Sequence, residues 1–223
     1  MKGLDSIDNA RLIINGLQHI AFEGSLTSPS YFRVAREAHL VLYRSMIEAL
    51  KGTANLSVTG KLPEQPSFRY EMGRDPWREI HKEPVPGCKR AWRFSAPAAC
   101  EPPDPALPRA EEPDDHLIGF YDALAMIQTD CFMGQFVHSK PVPLADDSMA
   151  TLEWLHERVR NEYEHFVPKY YSSPVIDLIA ATDLCLRVAQ ALLFESGNVR
   201  LEERRSTLQK LFAQTEPART GTM

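Results

Sequence analysis

Apolar positions spaced three and four apart recur in five stretches of the chain, the interval that places them on one face of an α-helix. Residues 8–22 carry Leu12, Ile13, Leu17 and Ile20 in this way, closed by Gly24 and Ser25. Ser28 and Pro29 open a second helix, with proline at its tolerated first position, and Gly52 stops it after Lys51. Val34, Ala38, Val41, Leu42, Met46 and Leu50 form its buried side, and Arg33, Glu37, Arg44, Glu48 and Lys51 its polar side. A third helix is predicted over 116–133, capped by Asp114 or Asp115, with Leu117, Phe120, Tyr121, Leu124 and Ile127 inward. A fourth starts at Asp147 or Ser148, buries Leu152, Leu155, Val159, Tyr163 and Phe166, and stops before Pro168. A fifth runs from Ser173-Pro174 to Ser196 and is apolar on most sides through Ile176, Ile179, Ala180, Leu184, Ala189, Leu192 and Leu193, so it is expected at the centre. Gly197-Asn198 ends it, Leu201 to Phe212 makes a short charged helix, and the tail from Ala213 is expected to be disordered.

The helical interval breaks between the second and third helices. Residues 60–113 hold eleven of the seventeen prolines, a density that interior helix does not survive. No helix longer than about two turns is expected there, because each proline removes a donor and clashes with the preceding turn. Short strands are predicted at 67–72 and 90–94, and 101–115 reads as acidic, proline-rich linker. The expected fold class is all-α. It is an up-and-down four- or five-helix bundle forming a single helical domain over 1–223, with the Pro-rich irregular insertion 60–113 between the second and third helices and a disordered tail at 213–223. A central β-sheet would contradict it.

Composition narrows the chemistry. A net charge of −5 leaves no global basic field to draw in nucleic acid, so any RNA contact is local. Cys88, Cys100, Cys131 and Cys185 form no C-x-x-C pair and read as reduced thiols of a cytoplasmic protein. The N-terminus lacks a signal-peptide run, and the most apolar segment, Pro174 to Phe194, is broken by Asp177, Asp183 and Arg187, so no membrane partner is expected. His81, Cys88 and Cys100 match no common zinc spacing, and no Gly-rich phosphate loop is present, so no metal and no cofactor is predicted. His39 lies amid apolar residues and reads as a structural histidine; His19, His81, His138 and His156 are scattered without ligand spacing. The insertion's F-R-Y-E-M-G-R-D-P-W-R and K-R-A-W-R-F runs place Trp77 and Trp92 among arginines. That mixture suits stacking with single-stranded RNA, and it equally suits a lid packed on the bundle.

The fourth helix carries the candidate chemistry. At roughly 100° per residue, Trp154, Arg158, Asn161 and His165 form a second stripe away from its core face. Asn161 and His165 are neighbours four residues apart, and Arg160 reaches the same space from the flank or from a second copy of the helix. Metal-free RNA cleavage needs a proton taken from the 2′-OH, charge met on the phosphate, and a proton delivered to the leaving oxygen. Histidine serves either transfer, arginine binds the phosphate, and asparagine orients a partner or bonds a phosphate oxygen. The plainer alternative pairs Arg160 with Glu157 or Glu164 on the surface and leaves His165 as a helix-end residue favoured by the dipole.

The run Arg160-Asn161-Glu162-Tyr163-Glu164-His165 resembles the R-x4-6-H motif, often R-N-x3-H, of the HEPN superfamily (higher eukaryotes and prokaryotes nucleotide-binding). The resemblance covers the helical parts, 8–51 and 115–195, and leaves the insertion without a counterpart. It implies a helical bundle whose two protomers bring their motifs together across a dimer cleft, with many members acting as metal-independent ribonucleases. Two function classes follow. One is a homodimeric endoribonuclease, a toxin or defence component with RNA as substrate and an antitoxin protein as partner. Arg160, Asn161 and His165 are then catalytic, and Arg158, Trp77 and Trp92 hold the substrate. The other is a non-catalytic helical protein that dimerises or binds a protein partner through the same face.

Overall fold

The computed structural model describes residues 6–51, 58–72, 75–95, 106–109, 117–161 and 173–221. Helix α1 (Ser6–Gly24) and helix α2 (Tyr31–Leu50) form the first hairpin. The second helix starts later than its sequence predicts, with Ser30 as the extended cap residue. Val34, Ala35, Ala38, Val41, Leu42, Met46 and Leu50 are all fully buried, which makes α2 the central wall of the bundle. On α1, Ile13, Leu17 and Ile20 are buried as expected, whereas Leu12 is 44% exposed.

The expectation of an all-α fold is overturned by a three-stranded antiparallel sheet in the order β1 (Ser67–Met72), β2 (Asp75–Pro84), β3 (Trp92–Ser95). Proline density excludes helix but not strand, because Pro66 precedes β1 and Pro76 and Pro84 stand at or next to the ends of β2, where a missing donor is tolerated. The strand alternation is visible once the register is known. Phe68 pairs with Ile80, and Lys82 with Phe94. Phe68, Ile80 and Phe94 are buried on the face toward the helices. Among the described residues of 60–113 no helix occurs, in keeping with the proline argument. The expected strands at 67–72 and 90–94 are present, the second shifted by a residue or two, and β2 was missed. Residues 106–109 run beside β1, where the Arg69 N–H donates to the Pro108 carbonyl at 2.8 Å.

The expected third helix is two short ones, α3 (Phe120–Met126) and α4 (Asp130–Met133), split at an extended Thr129. Gly119 precedes α3, the expected caps Asp114 and Asp115 lie outside the described residues, and Leu117 is 40% exposed in an isolated bridge with Thr59. The sheet joins the bundle here, where Phe132 of α4 packs against Tyr70 and Phe94. The fourth helix is α5 (Asp146–Trp154), continued as a π-helix over Leu155–Asn161. The fifth is α6 (Val175–Gln190), which also continues as a π-helix, Ala191–Glu195. Its middle is buried, but Ile176 at its start is 69% exposed. Gly197 ends it with φ +78°, a left-handed conformation that side chains resist.

After Ala213, where disorder is expected from the sequence, the described residues continue as helix to Thr220. Helix α7 (Arg205–Gln214) is followed by α8 (Glu216–Thr220), which packs on α1 and α6. Ala218 is buried against Gly24, where an added Cβ would lie 2.8 Å from the alanine methyl. Arg219 pairs with Asp183 of α6 at 2.8 Å. Among the described residues no helix is long and apolar enough to cross a membrane.

Candidate functional site

The motif helix is built from its N-terminus. Asp146 and Asp147 lie in the first turn of α5, where negative charge is favoured by the helix dipole. Met149, Leu152 and Leu155 are fully buried, and His156 follows them on the same face, four residues after Leu152. The hydrogen bonding then changes from i→i+4 to i→i+5. Each residue in that stretch advances by less than the roughly 100° of an α-helix, so a wheel drawn from Trp154 through Asn161 no longer holds. The predicted exposed stripe is corrected at its first member, since Trp154 is half-buried against the core. Arg158 is exposed. Arg160 and Asn161 close the π-helical stretch, and their side chains are outside the described set. His165 lies outside the described residues.

Sequence reasoning missed a partner of this helix. The Nε2 of His39, on the buried face of α2, lies 3.0 Å from Nδ1 of His156. Both residues are buried, at 3% and 9% exposure. The Phe120 ring stacks on His156 at 4.4 Å and 6°, and lies 4.6 Å from His39. Tyr121 meets His156 edge-on. The available signal was His156's place on the inward line of Met149 and Leu152, together with the equally inward position of His39.

A second hold comes from the sheet. After β2 the chain turns through 85–91, and the backbone N–H groups of Lys89, Arg90 and Ala91 donate to the Glu153 carboxylate at 2.7, 2.9 and 2.7 Å. Burial pushes this carboxyl up, but the three N–H donors and the Arg90 charge outweigh it and hold it below the usual range. Arg90 also pairs with Glu157 at 3.4 Å, and Arg93 with Asp146 at 2.6 Å. Asp146, Glu153 and Glu157 thus bind the turn and β3 along one side of the motif helix. Tyr121 donates to Glu157 at 2.7 Å, and burial together with that bond pushes its phenol far above the ordinary range.

These contacts place the second of the two aromatic-basic runs, K-R-A-W-R-F, against the motif helix. Trp92 is half-buried, 5.9 Å from the Tyr121 ring and under the Lys82 ammonium at 4.8 Å. It packs as part of a lid. The side chain of Trp77 is outside the described set. Lys82 also donates to the Pro63 carbonyl at 2.5 Å, and burial lowers its pKa although Asp122 opposes this. Asp122, in the first turn of α3, is pushed up to about 6 by burial, against the pull of Lys82 and Lys61.

Among the described residues no three His, Cys, Asp or Glu side chains converge to hold a metal ion. Burial pushes the Cys131 thiol up to about 11 and Cys185 higher still, so neither is a ready nucleophile. Cys100 lies outside the described residues. No family model, curated protein or solved structure matches the chain.

Proposed function

We propose that the protein is a metal-independent endoribonuclease of the HEPN type that works as a two-fold dimer. The observation that carries this reading is the Arg160-Asn161-Glu162-Tyr163-Glu164-His165 run, whose first two residues close a described helix held from the side by α2, α3 and the sheet turn. In support, the run begins within a π-helical stretch, a geometry found frequently at functional sites because it re-aims side chains. His165 exchanges a proton with the 2′-OH or with the leaving 5′-oxygen, Arg160 meets the phosphate charge, and Asn161 fixes orientation. Arg158, exposed on the same stretch, is a basic group that contacts the RNA backbone on this reading. A dimer doubles each group at one cleft. Such an enzyme fits a toxin or defence component with an antitoxin protein as its partner.

The test is cleavage of single-stranded RNA by the purified chain in EDTA, with products ending in a 2′,3′-cyclic phosphate. His165→Ala is expected to lose about 100-fold or more in rate, the scale of a missing general acid or base. Lys210→Ala, at an exposed site on α7, should leave the rate unchanged. Light scattering should give about twice the 25.2 kDa chain mass. A dimer that cleaves no RNA would instead support the non-catalytic reading of the same face.

A further inference from the structure

We infer that His39 is a positioning residue for the motif helix. Its ring, bonded to His156, sets the rotation of the π-helical stretch that carries Arg158, Arg160 and Asn161. The effect on cleavage rests on the ribonuclease reading; the anchoring of the helix does not.

The geometry requires a directional role. Two apolar side chains would fill the same space at lower cost, because buried polar rings carry a desolvation penalty unless they are bonded. What the pair adds is direction. A neutral imidazole has one N–H and one lone pair, so the bond forms only when one ring donates and the other accepts, in a fixed relative orientation. At 3.0 Å between Nε2 and Nδ1 that orientation is met. The Phe120 ring, parallel to His156 within 6°, blocks rotation of the imidazole out of its plane. The anchor sits at the second residue of Leu155–Asn161, where the hydrogen bonding changes register. A helix free to choose would return to i→i+4 bonding and turn every later residue to a new direction. His39 is on the buried face of α2, so the register is referred to the core and not to the surface.

The test compares His39→Phe, which keeps a ring but removes the bond, with His39→Gln, whose amide places a polar atom near Nε2. In wild type, ring nitrogen-15 spectra of the full chain should show one slowly exchanging histidine N–H shared by the two residues. His39→Phe should remove that signal and speed amide exchange over 155–161, with the rest of α2 and α6 unchanged. RNA cleavage should lose about 10- to 100-fold in kcat with KM little altered, the scale of a misplaced group. His39→Gln should restore most of both. If His39→Phe does not fold, His156→Asn, which keeps a polar atom near Nδ1, should hold slow exchange over 155–161, and fast exchange there would overturn the inference. Unchanged exchange in His39→Phe, or equal damage from Phe and Gln, would also overturn it. If the wild-type chain cleaves no RNA, the ribonuclease reading falls, and amide exchange alone decides whether His39 anchors the helix.

Discussion

Asp122 illustrates how burial and charge compete at a single residue. Lys82 and Lys61 favour its ionised form, yet burial wins and the carboxyl titrates at about 6 instead of 3.8. The folded state therefore holds this proton more tightly than the unfolded chain does. The resulting stabilisation is fully present below pH ~4 and is lost as pH rises through about 6. At about 1.4 kcal/mol per pH unit, ionising Asp122 costs the folded protein on the order of 3 kcal/mol. Asp122→Asn should match wild type near pH 4 and exceed it by on the order of 2 kcal/mol at pH 8 in urea unfolding. A variant less stable than wild type at pH 8 would mean that the Lys82 attraction outweighs burial. Asp122 drew no attention in the sequence because its surroundings come from β2, about forty residues earlier, and not from its own helix.

At the scale of elements, the turn at 85–91 is latched to the motif helix by Glu153. This carboxylate behaves oppositely to Asp122. Its pKa is lowered, so its contribution is complete above the ordinary 4.5 and is lost only as pH falls through the lower folded value. Glu153→Gln retains one acceptor oxygen but loses the charge. It should cost about 1–2 kcal/mol, the range for charge-assisted bonds at a partly exposed site. Amide exchange should quicken at Lys89, Arg90 and Ala91 before the bundle opens. If those amides stay protected, the turn is held by Trp92 packing and not by the latch. The helix boundaries were largely legible from periodicity. The π-helical stretch was not, because on our inference its register is referred to His39 on α2, far from it in sequence.

For the whole molecule, the tail closes the bundle. Ala218 fills the space against Gly24, and Arg219 reaches Asp183 with side chains only 16% and 29% exposed. Ending the chain after Thr215 should cost about 2 kcal/mol, from one buried methyl and one charge-assisted pair. For a chain of this size that lowers the melting temperature by roughly 4–8 °C. An unchanged melting temperature would make α8 an appendage. The polar composition after Ala213 pointed to disorder, since Gly24, the surface that receives Ala218, lies nearly two hundred residues away in sequence.

Local chemistry along the chain was enough to place the helices other than the split third one and α8, the buried faces of the first two, and the absence of helix at 60–113 among its described residues, and to single out the Arg160-Asn161…His165 run. Each of these depends on neighbours within a turn or two, or on what a proline does to its own backbone. The tertiary structure decided the rest. It turned a Pro-rich stretch into a sheet, because strand alternation becomes stable only when Phe68, Ile80 and Phe94 find a common apolar face. It joined His39 to His156 across 117 positions of sequence. It also committed Trp92 and Arg90 to packing on the bundle, since burial and ion pairing with Glu157 are properties of the assembled surfaces and not of either segment alone.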